Sequence, residues 1–162
     1  MLEAELGRVL AERGKSVAVA ESCTGGLLAT RITDVPGASA YFLGAIVAYS
    51  NAVKQALLAV SVEVLRRHGA VSSACARAMA QGCLRALGAD VALATTGVAG
   101  PAGGTARKPV GLVYVALAAR GAAGKVRRLQ LAGSRQAIRW SASEAALELL
   151  AEWLASQDGL EG

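Results

Sequence analysis

Leu2, Leu6, Val9 and Leu10 recur on one face of a 3.6-residue repeat, so the chain opens with an amphipathic helix that Gly14 ends. Val17 to Ala20 is an apolar run long enough for a buried strand and too short for a free helix. Glu21-Ser22-Cys23-Thr24-Gly25-Gly26 then forms a polar elbow, with Ser22 and Thr24 as candidate N-caps for a helix over Leu27 to Thr33. Asp34-Val35-Pro36-Gly37 stops that helix. The β-rich run Tyr41 to Tyr49 reads as a central strand, and Ser50-Asn51 turns the chain into a helix carrying Lys54, Leu57 and Leu58. Val62 to His68 is a short helix closed by Gly69. Ser72-Ser73 caps a longer one to Leu87, with Gly88 just past its end.

Val91 to Thr95 reads as a second short buried strand. It runs into Thr96 to Thr105, where five of ten residues are glycine or proline, a composition that predicts a mobile lid. Val110 to Ala119 and Val126 to Leu131 are strands joined by the Gly121 to Gly124 turn, hence an antiparallel pair. Ser134 caps a final helix whose apolar stripe is Trp140, Leu147, Leu150 and Leu154. Alternating strands and helices with a late hairpin predict a three-layer α/β/α sandwich with a mixed, mostly parallel sheet. One domain is expected over residues 1–155, with 156–162 a frayed tail.

Composition narrows the partners. Net charge is +5, and from Val35 to Ser143 the only acids are Glu63 and Asp90, against thirteen lysines and arginines. A basic middle suits an anionic partner. No Lys/Arg block has interleaved aromatics, so a nucleic-acid tract is not supported. Cys23, Cys75 and Cys83 form no CxxC pair, which leaves neither a disulfide framework nor a zinc site, and Cys75 and Cys83 read as small buried residues of one helix. His68, the single histidine, sits in Arg66-Arg67-His68-Gly69 and reads as a helix-end residue. The N-terminus lacks the regions of a signal peptide, and Tyr41 to Tyr49 is too short to span a bilayer, so a cytoplasmic protein without membrane contact is expected.

The chemistry gathers at two strand ends. If Glu21 to Gly26 and Thr95 to Gly100 are neighbours in the sheet, their N–H groups and hydroxyls make an anion or oxyanion cradle. Neither loop is a Walker A, and no GxGxxG is present. Lys54 is one of only four lysines beside thirteen arginines. It reads either as a solvated helix lysine or as a desolvated base, a role arginine cannot fill near neutral pH. A serine nucleophile needs such a base. Ser22, Cys23 and Thr24 are rival nucleophiles, and adjacent side chains point opposite ways. The sequence leaves open which one faces the pocket.

These motifs together resemble the CinA C-terminal domain family. The resemblance rests on Glu21-Ser22-Cys23-Thr24-Gly25-Gly26, Pro36-Gly37-Ala38-Ser39, Tyr49-Ser50-Asn51 with Lys54, and Gly69-Ala70-Val71-Ser72. Further along it rests on Thr96-Gly97-Val98-Ala99-Gly100-Pro101, Gly103-Gly104-Thr105, Lys108-Pro109-Val110-Gly111 and Arg135 with Ile138-Arg139. It runs from about Leu6 to Leu150. The sequence departs from the family at Ser134, where an acid often precedes the arginine, and at Ser73-Ala74, where acids are usual. The family includes bacterial nicotinamide-nucleotide amidohydrolases. The resemblance therefore implies hydrolysis of nicotinamide mononucleotide to nicotinate mononucleotide and ammonia, with no cofactor and no metal. It implies Ser22 as the nucleophile or its hydroxyl partner, Lys54 as base and Thr96 as a hydroxyl or oxyanion helper. Tyr49 and Asn51 would shape the pocket. The glycine loops (Gly25 and Gly26 beside Thr24, and Gly97 and Gly100), with Arg135 or Arg139, would hold the phosphate. Many relatives carry an additional N-terminal domain, and the activities tied to it are expected to be absent here. The competing expectation is a nucleotide- or partner-binding module without turnover. The Ala-rich composition with exposed apolar helices predicts a homo-oligomer.

Overall fold

The computed structural model describes residues 1–159. Its elements, in order, are α1 (Leu2–Glu12), β1 (Val17–Glu21), α2 (Leu27–Thr33), a single 3-10 turn (Ala38–Ala40), β2 (Phe42–Val47), α3 (Asn51–Leu58), α4 (Val62–His68), α5 (Ser73–Leu87), β3 (Val91–Gly97), β4 (Leu112–Ala119), β5 (Lys125–Gln130) and α6 (Arg135–Asp158). The strands form one sheet in the order β2-β1-β3-β4-β5. β1 pairs parallel with β2 and β3, while β4 runs antiparallel to both β3 and β5. Four of the five strands therefore point one way, and the predicted mixed α/β/α sandwich is the fold observed. No described helix is long and apolar enough to cross a membrane.

Alternation along the strands builds two unlike cores. Val17, Val19, Val91, Leu93, Val113, Val115 and Leu117 face α1, α2 and α6. Ala18, Ala20, Ala92, Ala94, Ala116 and Ala118 face α5, with Met79, Cys75 and Cys83 packed on them. A strand sends successive side chains to opposite faces, so one Val-Ala alternation serves both layers. Small residues on the second face let α5 lie close to the sheet. The two helix cysteines are fully buried there, as their sequence context predicts.

Three expectations need correction. Tyr41 to Tyr49 is not a central strand: β2 lies at the sheet edge, with alternate residues exposed. Its apolar composition mimics a doubly covered strand. Trp140 leaves the apolar stripe of α6 and is half exposed, while Ile138, Leu147, Leu150 and Leu154 are buried. Of the predicted tail, Ser156 to Asp158 continue α6, and residues 160–162 lie outside the described residues.

Trp140 instead covers a buried charge cluster. The Arg31 guanidinium lies 4.1 Å from its ring centroid and donates to Glu3 Oε1, Ser143 Oγ and Glu144 Oε2 at 2.5, 2.8 and 2.5 Å. Burial alone would push the Glu3 carboxyl up, but its hydrogen bond and attraction to Arg31 outweigh that and hold it below the usual carboxylate range. The cluster joins α1, α2 and α6. Replacing Arg31 with methionine strands the buried Glu3 carboxylate, and urea unfolding should then show a loss of about 3–5 kcal/mol.

Candidate active site

β1 and β3 lie side by side, and their outgoing connections diverge: α2 leads from β1 to β2 on one flank, and the glycine loop leads from β3 to β4 on the other. The carboxyl ends of such neighbours bound a crevice at a topological switch point. The elbow after β1 and the glycine loop after β3 meet there. Ser22 N–H donates to Thr95 O at 3.0 Å and carries the β1–β3 pairing one residue further.

Strand alternation decides which elbow residue faces which layer. Even-numbered Ser22 and Thr96 continue the alanine face, toward α3 and α5, whereas Glu21 and Thr95 continue the valine face. On the alanine face, Ser50 caps α3 by accepting from Val53 N–H, and Lys54 lies one turn further on. Lys54 is 1% exposed, and its Nζ lies 3.0 Å from Ser22 Oγ and 2.9 Å from Tyr49 O. Burial pushes the amine below the ordinary lysine range. The Cys75 and Cys23 thiolates would oppose that shift, but burial raises both thiols, Cys23 to about 11, so they are uncharged at neutral pH. Among the described residues no carboxylate pairs with Lys54. The desolvated alternative for this lysine is the one observed.

The elbow itself is braced by a residue that the motif reading passes over. Glu21 is fully buried. Its Oε1 accepts from Thr24 Oγ1 at 2.6 Å and Leu28 N–H at 2.8 Å, and its Oε2 accepts from Ala29 N–H at 3.1 Å. The Thr24 proton is thus committed to Glu21, so Thr95 must donate across the 2.7 Å contact between the two hydroxyls. Neither Ser22 nor Thr24 caps α2. The N-cap is Gly26, which has no side-chain bond, and the Glu21 carboxyl takes the first-turn N–H groups in its place. Gly25 and Gly26 have φ of +57° and +104°, conformations that side-chain-bearing residues avoid, and they allow the strand to reverse into the helix so sharply. An acid at a strand end, seven residues before a helical N–H, is the signal available in the sequence.

Other predicted residues are placed differently from their expected roles. Thr24 is fully buried behind the elbow, out of reach of any ligand. Thr96 Oγ1 donates to Ala70 O at 2.8 Å, so its proton holds a neighbouring turn instead of pointing at a developing oxyanion. Arg139 donates to Cys23 O and Thr24 O at 3.1 and 2.9 Å, clamping the elbow from α6. Arg135 donates to Gly100 O at 2.6 Å and Tyr49 Oη at 3.2 Å, tying the glycine loop to the segment before α3. The loop is also fastened by Gly111 N–H to Val98 O and by Lys108 Nζ to His68 O, so the predicted lid has fixed ends. His68 is the last residue of α4, as its context predicts. Asn51 opens α3 and is exposed, as is Tyr49. Gly97 packs against β4 with no room for a side chain: a Cβ there would lie 2.6 Å from Val113 Cγ2.

Ser22 and Lys54 are nearly covered. An open hollow of about 730 Å³ runs along α4, α5 and β4, lined by Lys108, His68, Arg77, Ser73, Gln81 and Tyr114 among others. None of Ser22, Lys54 and Thr96 is on its wall.

A family model described as the CinA C-terminal domain matches residues 1–154. A CinA-like protein from Syntrophomonas wolfei is 52% identical over 87% of this chain and 34% of its own length. A CinA-like protein from Geobacter sulfurreducens is 50% identical over 92% of this chain and 36% of its own length. The chain spans little more than a third of the curated relatives it matches. The structure of the competence-damaged protein (CinA) superfamily protein from Klebsiella pneumoniae 700603 superposes with a TM-score of 0.92, at 37% identity over 96% of both chains. That of competence/damage inducible protein CihA from Agrobacterium tumefaciens gives 0.88, at 39% identity over 94% and 95%.

Proposed function

The chain belongs to the CinA C-terminal domain family, and from that premise we propose that it is a cytoplasmic amidohydrolase acting on nicotinamide mononucleotide. The observation that carries this reading is a buried lysine amine with no carboxylate partner among the described residues, 3.0 Å from a serine hydroxyl. A neutral amine has one lone pair and two N–H bonds. One N–H donates to Tyr49 O, and the lone pair is left for the Ser22 proton. Ser22 Oγ attacks the carboxamide carbon as Lys54 takes that proton. The Cys23 N–H, which bonds no other residue among the described ones, stabilises the oxyanion. The Lys54 ammonium returns the proton to the departing nitrogen and ammonia leaves. Lys54 then takes a proton from water as its oxygen attacks the Ser22 ester, and returns that proton to the Ser22 oxygen as it leaves, which frees the nicotinate acid, to ionise in solution, and regenerates Ser22 and the neutral amine.

The basic middle of the chain supports a phosphate-bearing substrate. Arg135, exposed beside Gly100 and Tyr49, is the residue assigned to the phosphate, and Asn51 and Tyr49 border the pyridine. Substrate entry requires the Tyr49 segment or the glycine loop to shift, because Ser22 is only 8% exposed. A second reading, a nucleotide-binding module without turnover, draws on the basic hollow that excludes Ser22. One preparation distinguishes them. Ammonia release is measured over nicotinamide mononucleotide, its riboside and free nicotinamide, alongside calorimetric titration. Turnover confined to the phosphorylated amide supports the amidase. Heat of binding without ammonia supports the module.

A further inference from the structure

The two edges of the sheet are guarded unequally. β5 carries Lys125, Arg127 and Arg128 within six residues. Arg127 is also tied across to Glu148 and Glu152 of α6. Charges of this kind keep a second strand from docking. β2, at the opposite edge, has none. No residue from Val35 to Val53 is charged, and no proline interrupts the strand. Leu43 and Val47 are 51% and 45% exposed, with exposed Ala45 between them.

The backbone is open at this edge as well. Ala48 N–H donates inward to Glu21 O at 2.8 Å. Alternation along an extended chain turns the N–H and C=O groups of Val47 and Ala45 the other way, away from β1. They form a short row of donors and acceptors that another strand completes.

We propose that β2 pairs antiparallel with β2 of a second copy of this chain, about a twofold axis, joining two five-stranded sheets into one. Charge selects the occupant. With a net charge of +5, two copies repel, but the paired strands themselves, within the uncharged run Val35 to Val53, set no charge against another. An acidic partner gains nothing from an uncharged strand. The side-chain pattern is also self-complementary. The one irregularity in pairing with β1 falls at its start, between Val17 and Ala18, so the regular segment is Gly44 to Ala48, centred on Ile46. A twofold axis there sets each Ala45 against the partner's Val47, a small residue against a larger one, and each Leu43 against the partner's Tyr49. Tyr49, 60% exposed, precedes Lys54 by five residues, so the same pairing covers one border of the pocket. The inference stands apart from the amidase reading.

Sedimentation equilibrium on the whole chain tests it, with Ala45→Lys as the comparison. Ala45 is exposed, so a lysine there leaves the isolated subunit unstrained, and circular dichroism and thermal unfolding verify the fold. The expected result is a wild-type dimer in the micromolar range and a dissociation constant raised by about a hundredfold or more in Ala45→Lys. Hydrogen exchange should find the Ala45 and Val47 amides protected in the wild-type dimer and unprotected in the variant. A wild-type monomer at every concentration reached, or an Ala45→Lys variant that assembles as well as wild type, overturns the proposal.

Discussion

Replacing Lys54 with methionine should lower kcat/KM for ammonia release from nicotinamide mononucleotide by about a thousandfold or more, with the fold retained. Methionine fills most of the same volume among Ser22, Tyr49 and the alanine face, so packing is kept while the base is lost. Lys54→Arg should fare no better, since a guanidinium holds its proton at any pH the fold survives. The pH profile carries the distinguishing signature. Lys54 must be neutral to accept the Ser22 proton, and burial places its pKa below the ordinary lysine value of about 10.4. Wild-type kcat/KM should therefore rise with pH and level off below that value, with the acid side falling tenfold per pH unit below the depressed pKa. A profile flat down to mildly acidic pH would remove Lys54 from the proton transfer.

The second large effect is expected at Glu21, which touches no substrate. Glu21→Ala removes the acceptor of two helix N–H groups and one hydroxyl, all inside the protein. Leaving that set unsatisfied should cost about 3–5 kcal/mol in urea unfolding, since each buried unpaired polar group costs about 1–3 kcal/mol. Glu21→Gln should cost less, about 1–3 kcal/mol, because its single carbonyl oxygen still accepts while its amide N–H₂ meets a backbone donor. Both variants should lose kcat more than they raise KM, because the elbow that aims Ser22 toward Lys54 is loosened while the Arg135 side of the pocket is untouched. A Glu21→Ala variant as stable as wild type would show that the α2 N-terminus is held some other way.

Most of the fold is legible in the apolar pattern. Helices bounded by their own caps, such as Ser72 to Gly88, fall where the sequence places them, because each boundary is a local bond between a serine hydroxyl or a glycine and its own helix. β2 is misplaced because composition records how apolar a strand is and not whether it pairs on one side or on both. Trp140 is misplaced because helical periodicity cannot foresee a guanidinium arriving from α2. At the site, the approach of Ser22 to Lys54 follows from two local features, a strand end and a capped helix. The roles of Thr96 and Arg139 depend on which carbonyls lie opposite them, Ala70 O and the elbow carbonyls, and no spacing in the sequence encodes that. The strand parity that sends Ser22 to the Lys54 face and Glu21 to the other is already written in Val17-Ala18-Val19-Ala20. It shows only once the valine side and the alanine side are seen to face different helices.

Single-turnover ammonia release, with wild type and Ser22→Ala in excess over nicotinamide mononucleotide, tests the Ser22–Lys54 pair most directly. Wild type should release one ammonia per substrate, and Ser22→Ala, whose only loss is the hydroxyl beside Lys54, should release none above the uncatalysed background. Equal release by the two proteins would contradict the assignment of this pair as the chemical centre.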